Sequence, residues 1–409
     1  MDPPPTEEVH AMRCRWLMLA LGTGAQTAAC AFVYGVPYLA AALRDTAHLT
    51  LPQIGLLIAC PTAGLVAALV AWGAAADRYG ERVVIAAGLG GAAALLAVAA
   101  GPVVAGGGTA ALGALLAVAG AAGASVYSAS GRLVMGWFSA GERGLAMGIR
   151  QTATPLGMGL AALTMPPLAT AYGVRGAFGF LAAVCGVLAC LVALFAADPA
   201  RPQAAPGAAP AANPYRGSAT LWRIHGAGAL LVVPQFTAGA FALVLLVDTR
   251  GWSAVGAGRL IALAQVLGAC FRIAAGLWSD RVGSRLRPMR QLAVATAVVV
   301  AAAATTAAFP SPLTAAALVL SVGVTASTNG LSFTATAERA GPSWSGRALG
   351  VHNTGQNLTA AVVPPLSAAL ISATGYWPAL AAAAFVACGA AALVPMDTSR
   401  TPAVVSSVP

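Results

Sequence analysis

The stretch Gly73-Ala-Ala-Ala-Asp77-Arg78-Tyr-Gly80-Glu81-Arg82 returns in the second half of the chain as Gly276-Leu-Trp-Ser-Asp280-Arg281-Val-Gly283-Ser284-Arg285. Five positions, Gly, Asp, Arg, Gly and Arg, keep one spacing, and Asp280 follows Asp77 by about half of the 409-residue length. A long apolar stretch precedes each copy and another follows it. The pattern reads as an internal duplication, with charged turns at matching points of two halves otherwise suited to lipid.

Composition sets the class. Charged residues make up 8% of the chain, against about 25% in soluble domains, while apolar residues reach 59% and the mean hydropathy is +0.80. A water-facing surface needs far more charge, so most side chains must face one another or hydrocarbon. The fold class is an all-α polytopic membrane protein. The net charge of +10 raises nucleic acid as a partner, but the arginines fall between apolar segments rather than in patches with aromatics, and membrane topology accounts for them better. No nucleic acid is expected. Cys14, Cys30, Cys60, Cys185, Cys190, Cys270 and Cys388 lie almost entirely inside apolar stretches with no ligand spacing or disulfide framework. Neither a metal nor any other cofactor is expected.

A spanning helix needs roughly 20 apolar residues, and splitting the uncharged runs at charges and at Gly/Pro-rich breaks gives twelve spans. In the first half they cover 16–42, 52–75, 83–104, 109–137, 145–170 and 177–196. In the second they cover 225–247, 256–279, 290–309, 313–336, 348–373 and 377–395. The cuts at Gly106-Gly107-Gly108-Thr109 and Pro310-Ser311-Pro312 rest on turn residues alone. The domain reading is an N-terminal segment 1–15, a six-helix bundle 16–197, a Pro/Ala-rich linker 198–223, a second bundle 224–396 and a tail 397–409. With the N-terminus inside, fifteen arginines fall in inside segments, and only Arg44, Arg175, Arg250 and Arg259 fall outside. The positive-inside rule then puts both termini in the cytoplasm of a multi-pass cell-membrane protein.

The repeat extends further. Gly148-Ile149-Arg150-Gln151-Thr152 overlays Gly350-Val351-His352-Asn353-Thr354, and Gln26 and Phe32 match Gln235 and Phe241. Six spans per repeat make the halves parallel, related by an axis along the membrane normal. The two copies of the Gly-Asp-Arg-Gly-Arg motif, set in a six-linker-six layout, strongly resemble the major facilitator superfamily of secondary transporters. That resemblance covers nearly the whole chain. It implies two six-helix bundles that rock about a central site, opening to either side in turn. It also implies that Asp77 holds the cytoplasmic side closed against the start of span eleven, near Arg347 to Gly350, and that Asp280 does so against Gly144 to Gly148. Gly73 and Gly80 are expected to permit a tight turn, and Arg78, Arg82 and Arg281 to bridge the bundles. The plainer reading makes these ordinary inside-loop charges. Arg132, near the end of span four, is expected to be the salt partner of Asp77.

Ionisable groups inside spans cost about 2.5 to 3.5 kcal/mol each on insertion scales, and the chain has few: Arg132, Arg150, Arg272 and His352. No Asp or Glu lies well inside a span. Arginines without a counter-acid favour an anionic guest that brings the missing charge itself. Arg272 stands near the middle of span eight. Arg272-Ile-Ala-Ala-Gly276-Leu-Trp-Ser-Asp280 resembles the corresponding segment of the monocarboxylate and oxalate/formate transporters, and this implies a carboxylate-binding arginine. The alternative is an arginine bonded to backbone carbonyls. Arg150 reads as a second anion contact or as a side chain snorkelling to the interface. His352 reads as a titrating group for proton coupling or as a cross-helix hydrogen bond. Gln26 and Tyr34, Tyr127, Gln235, Asn329, Asn353 and Gln356 complete the candidate substrate contacts, though intramembrane amides also serve as helix–helix glue. Pro155, Pro234 and Pro364-Pro365 are expected to bend their helices.

The expected activity is secondary transport of a small organic anion, such as a monocarboxylate, coupled to protons or to exchange of a counter-substrate, by a monomer in the bilayer. Efflux of neutral or hydrophobic drug-like compounds is the alternative, with a transporter-like sensor further behind. An enzyme is not expected, because no Ser/His/Asp set, HExxH or nucleotide-binding GxxxxGK[ST] loop is present.

Overall fold

The computed structural model describes residues 5–39, 42–43, 51–101, 103–199 and 212–396. The tail 397–409, linker residues 200–211, and Arg44, Asp45, Arg201 and Arg400 lie outside the described residues. Helices α1 (Pro5–Val33), α2 (Leu51–Tyr79), α3 (Glu81–Ala100) and α4 (Val103–Gly136) supply the first four spans. Helices α5 (Arg143–Arg150) and α6 (Ala153–Phe195) supply the next two. The second half follows with α7 (Thr220–Arg250), α8 (Ala254–Val282), α9 (Leu286–Ala308), α10 (Thr314–Thr325), α11 (Asn329–Ala340), α12 (Ser345–Thr374) and α13 (Tyr376–Leu393).

Eleven stretches among the described residues are long and apolar enough to cross a membrane, and one of them, Arg143–Phe195, runs 53 residues. At 1.5 Å per residue that is about 80 Å against about 30 Å of hydrocarbon, so it crosses twice. The corner is Gly173, with φ 69° and ψ −179°, a conformation that side-chain-bearing residues rarely adopt. Twelve crossings result, as the sequence implied. Span one ends earlier than expected. α1 stops at Val33 and a short 3₁₀ turn covers Val36–Leu39, because Pro37 has no N–H to donate and disfavours the α conformation at the residue before it.

Two further expectations are corrected. Gly73 is not in the turn: it lies inside α2, and the turn belongs to Gly80, with φ 97°. Gly73 is small because the backbone of α12 crosses there; a Cβ on it would stand 2.4 Å from the Gly346 carbonyl oxygen. Pro155 does not bend a helix from within. It sits in the first turn of α6, where its missing N–H would have no helical partner anyway.

Helices α1 to α4 and α6 share one apolar core built around Phe32, Leu65, Leu89, Leu116 and Phe178. The later helices pack around Leu246, Val300 and Leu318, and around Ile224, Met289 and Leu331. Large apolar side chains also stand outward, among them Phe385 at 79% and Leu163 at 78% exposure, as lipid-facing surfaces require. The two bundles meet along α2 with α12 and α5 with α8.

Candidate functional site

Between the bundles lies a cavity of about 80 Å³. Its wall includes Gln26, Tyr34, Tyr127, Arg150, Gln235, Arg272, Asn329, Asn353 and Gln356, drawn from seven helices of both halves and the turn after α1. Span five breaks beside it at Gln151 and Thr152, and span ten breaks at Ala326–Thr328. Interrupted backbone at membrane depth is tolerated where it lines such a cavity.

Hydrogen bonds fix the wall. Tyr34 donates to Asn357 Oδ1 at 3.1 Å, Asn353 to the Tyr127 carbonyl at 2.9 Å, and Asn329 to Gln235 Oε1 at 3.2 Å. The first two join the bundles. Arg150 is buried and does not snorkel. Its nitrogens donate to Ser130 Oγ at 2.9 and 3.1 Å, to Gln26 Oε1 at 3.2 Å and to Gln151 Oε1 at 2.9 Å. Arg272 is buried too, yet its Nε and Nη1 have no hydrogen-bond acceptor among the described residues. Neither guanidinium is bridged by a carboxylate among those residues.

His352 does not line the cavity, contrary to the sequence reading. It stands one helical turn below Gln356 and is turned into the second bundle, where Nδ1 meets His225 Nδ1 at 3.0 Å and Nε2 meets Ser332 Oγ at 3.0 Å. The i, i+4 spacing puts it on the same face as Gln356 but a turn deeper.

Below the cavity, Met135 and Met147 of the first bundle pack with Phe333, Ala337 and Leu349 of the second. Beyond this apolar layer come the repeated motifs. Asp77 accepts from the N–H groups of Gly346 (3.0 Å) and Arg347 (3.2 Å), at the start of α12. Asp280 accepts from Gly144 (2.9 Å) and Leu145 (2.8 Å), at the start of α5. The first N–H groups of a helix have no partner within it and carry the positive end of its dipole, so a carboxylate suits both places. The crossings are close on both sides: a Cβ on Gly276 would stand 2.1 Å from the Gly144 carbonyl oxygen.

Of the arginines expected around these aspartates, Arg132 takes its place and the motif arginines Arg78, Arg82 and Arg281 do not. Arg78, Arg82 and Arg281 are exposed and make no bond across the bundles among the described residues. Arg78 lies over the Tyr79 ring, and Arg82 donates to the Ala193 carbonyl within its own bundle. Arg132 does reach Asp77, at 2.5 Å, and also pairs with Glu81. In the second motif the corresponding partner is Arg285, 2.5 Å from Asp280 and also bonded to Glu338 and, across the bundles, to the Ala140 carbonyl. Arg143 faces Glu338 at 3.7 Å, and Arg347 faces Asp77 at 3.4 Å. The signal for Arg285 was present in the sequence as the last arginine of the second motif.

The family model of the Major Facilitator Superfamily matches residues 20–364 of the chain. The chain belongs to the major facilitator superfamily. It is 41% identical over 383 residues, 93% of its length and 85% of the relative's, to the uncharacterised MFS-type transporter Rv2994 of Mycobacterium tuberculosis. Among solved major facilitator structures it is similar to the human organic anion transporter MFSD10, with a TM-score of 0.71 and 17% identity, covering 96% of this chain and all of that one. It is also similar to the proton:xylose symporter XylE, with a TM-score of 0.74 and 14% identity, covering 94% and 96%. Those two likenesses are of fold. As a major facilitator protein the chain is a membrane transporter for a small-molecule substrate and not an enzyme.

Proposed function

We propose that this transporter carries a small organic anion, with monocarboxylates the first class to test, by alternating access across the cytoplasmic membrane. The observation that carries the reading is Arg272: a buried guanidinium with two unpartnered nitrogens in a cavity wall. An unpaired buried charge is costly, and a carboxylate brings both the charge and the two acceptors that a guanidinium fork fits. Arg150, already held by neutral partners, adds positive potential from the opposite bundle. The motif pairs act as the latch of one end, with Asp77 and Asp280 each holding the other bundle's helix start. The arginine excess at that end favours its facing the cytoplasm. Proton-coupled symport and exchange are the two modes of energisation in view.

The test is uptake of labelled carboxylates, sugars and neutral and cationic drugs into proteoliposomes, with and without a pH gradient. Carboxylates are expected to be taken up and to lose that uptake in Arg272→Ala. If Arg272→Ala and Arg272→Lys both carry carboxylates as well as the parent, the anion site is elsewhere. Uptake of neutral drugs in place of carboxylates would favour the efflux reading.

A further inference from the structure

A continuous run of hydrogen-bonded side chains leads from the motif-end surface to the cavity wall. Tyr215, half-buried in the segment before α7, has its hydroxyl 2.9 Å from His225 Nε2. His225 Nδ1 is 3.0 Å from His352 Nδ1. His352 Nε2 is 3.0 Å from Ser332 Oγ and 3.2 Å from Gln356 Nε2, and Gln356 faces the cavity. Every link is within hydrogen-bond reach. Burial pushes the Tyr215 hydroxyl up to about 12, so it keeps its proton at neutral pH.

The contact between two Nδ1 atoms is informative. It can hold one proton, so one ring must donate and the other accept, and each choice fixes the opposite nitrogen as well. In one arrangement Tyr215 donates to His225 Nε2, His225 Nδ1–H donates to His352 Nδ1, and His352 Nε2–H donates to Ser332. In the other, Gln356 donates to His352 Nε2, His352 Nδ1–H donates to His225 Nδ1, and His225 Nε2–H donates to the Tyr215 oxygen. Both are neutral, and the first needs the Gln356 amide turned so that its oxygen rather than its nitrogen faces His352 Nε2. They differ by the passage of one proton from end to end.

We propose that Tyr215, His225 and His352 form a proton relay between the motif-end surface and the central cavity, with Gln356 as its shutter on the cavity side. Starting from the first arrangement, a proton from water adds to His225 Nε2 as the Tyr215 hydroxyl turns aside. The Nδ1–H bond of His225 breaks as that of His352 forms. The Nε2–H bond of His352 then breaks, and its proton passes to water or a carboxylate in the cavity when Gln356 swings away. One proton has moved and both rings are neutral again. Imidazole is suited to this by its two nitrogens, one donating while the other accepts. A cross-link alone would need only one donor and one acceptor. The surroundings are otherwise aromatic or neutral: Trp222 and Tyr215 on His225, Phe333 and Gly228 against His352. Charge reaches this cluster through rings, Arg150 over Phe333 and Arg347 over Trp344.

The relay rests on the proposed anion transport only for what the proton accompanies, and two measurements separate the two ideas. The first needs no guest. In ¹⁵N-histidine spectra of the full chain in lipid nanodiscs, where only four histidines contribute, Tyr215→Phe removes one hydroxyl from His225. It is expected to change the tautomer ratio at His352, two links away, about twofold or more. An unchanged His352 overturns the relay. The second uses ¹⁴C-labelled lactate, benzoate and oxalate in proteoliposomes. His225→Phe is expected to lower pH-gradient-driven accumulation about tenfold or more while equal-pH counterflow stays within about twofold, because exchange moves no net proton. Accumulation at the parent level in both His225→Phe and Tyr215→Phe overturns the relay. A parent that carries none of the three acids overturns the anion reading, and the spectra then decide the relay by themselves.

Discussion

Gly276 and Gly144 cross so closely that a Cβ on Gly276 would stand 2.1 Å from the Gly144 carbonyl oxygen, and Gly73 meets Gly346 in the same way at 2.4 Å. These two crossings bring Asp280 and Asp77 within reach of the opposite helix starts. Gly276→Ala is therefore expected to separate the bundles at the motif end. Overpacking of this kind costs about 1 to 3 kcal/mol, or about 5- to 150-fold in the closed population. Spin labels at the exposed positions Tyr79 and Val282, in a background without native cysteines, would report a longer distance. An unchanged distance distribution would mean that the crossings do not limit closure.

Asp77→Asn and Asp280→Asn each keep a hydrogen-bond acceptor at the helix start but remove the charge. Each is expected to weaken closure by up to about 2 kcal/mol. Because Asp77 holds the start of α12 and Asp280 the start of α5, the double variant should show the sum within about 0.5 kcal/mol. The same spin-label pair reads both. A double variant no more open than either single one would show that one latch alone sets the equilibrium.

The arginines of the cavity should respond in opposite directions. Arg272→Met removes an unpartnered buried charge and is expected to raise the thermal midpoint of the guest-free protein while abolishing carboxylate uptake. Arg150→Met removes the charged donor to Ser130, Gln26 and Gln151, leaving Ser130 bonded to the Val126 carbonyl and to Gln26, and is expected to lower the midpoint, with a cost of about 1.5 to 3 kcal/mol for a hydrogen bond to a charged group. Tryptophan fluorescence on heating in detergent distinguishes the two. A lower midpoint in Arg272→Met would show that its guanidinium is held by contacts in the empty protein.

Within the second motif, Arg281 and Arg285 should separate cleanly. Arg281 is exposed, and its replacement by alanine should change stability by no more than about 0.5 kcal/mol. Arg285 is buried between Asp280 and Glu338, and Arg285→Ala leaves the Asp280 carboxylate without its guanidinium, a loss of about 3 to 5 kcal/mol. Equal thermal midpoints for the two variants would contradict this division of labour.

The fold was legible because hydrocarbon tolerates so little charge. Uncharged runs marked the spans, and the glycine clusters at Gly106–Gly108 and the prolines at Pro310 and Pro312 marked the two hidden corners. The cavity was legible for a related reason: a polar side chain inside a span needs a partner, and nine of the ten named side chains found theirs, or their vacancy, around one space. His352 was misplaced because sequence spacing gives its face and its distance from Gln356 but not where the cavity ends, and one turn below it the facing groups are His225 and Ser332 of its own bundle. Glu81 and the bond of Arg285 to Glu338 escaped because those partners come from distant helices, and the Tyr215–His225 pair because it joins a linker residue to a helix; no periodicity within one helix records such a meeting. Gly73 was read as a turn residue because a glycine beside a charged loop looks the same whether it bends its own chain or admits another.

Arg150 and Arg272 belong to different bundles and face one cavity with no carboxylate bridging them among the described residues. Like charges repel, and more strongly where water is scarce. An empty carrier that narrowed this space would drive two cations together, whereas a carrier holding an anion would draw both walls onto a shared counter-ion. On the proposed anion reading, occupancy eases passage through the midpoint of the cycle, and an unloaded carrier crosses more slowly, against the repulsion of its own arginines.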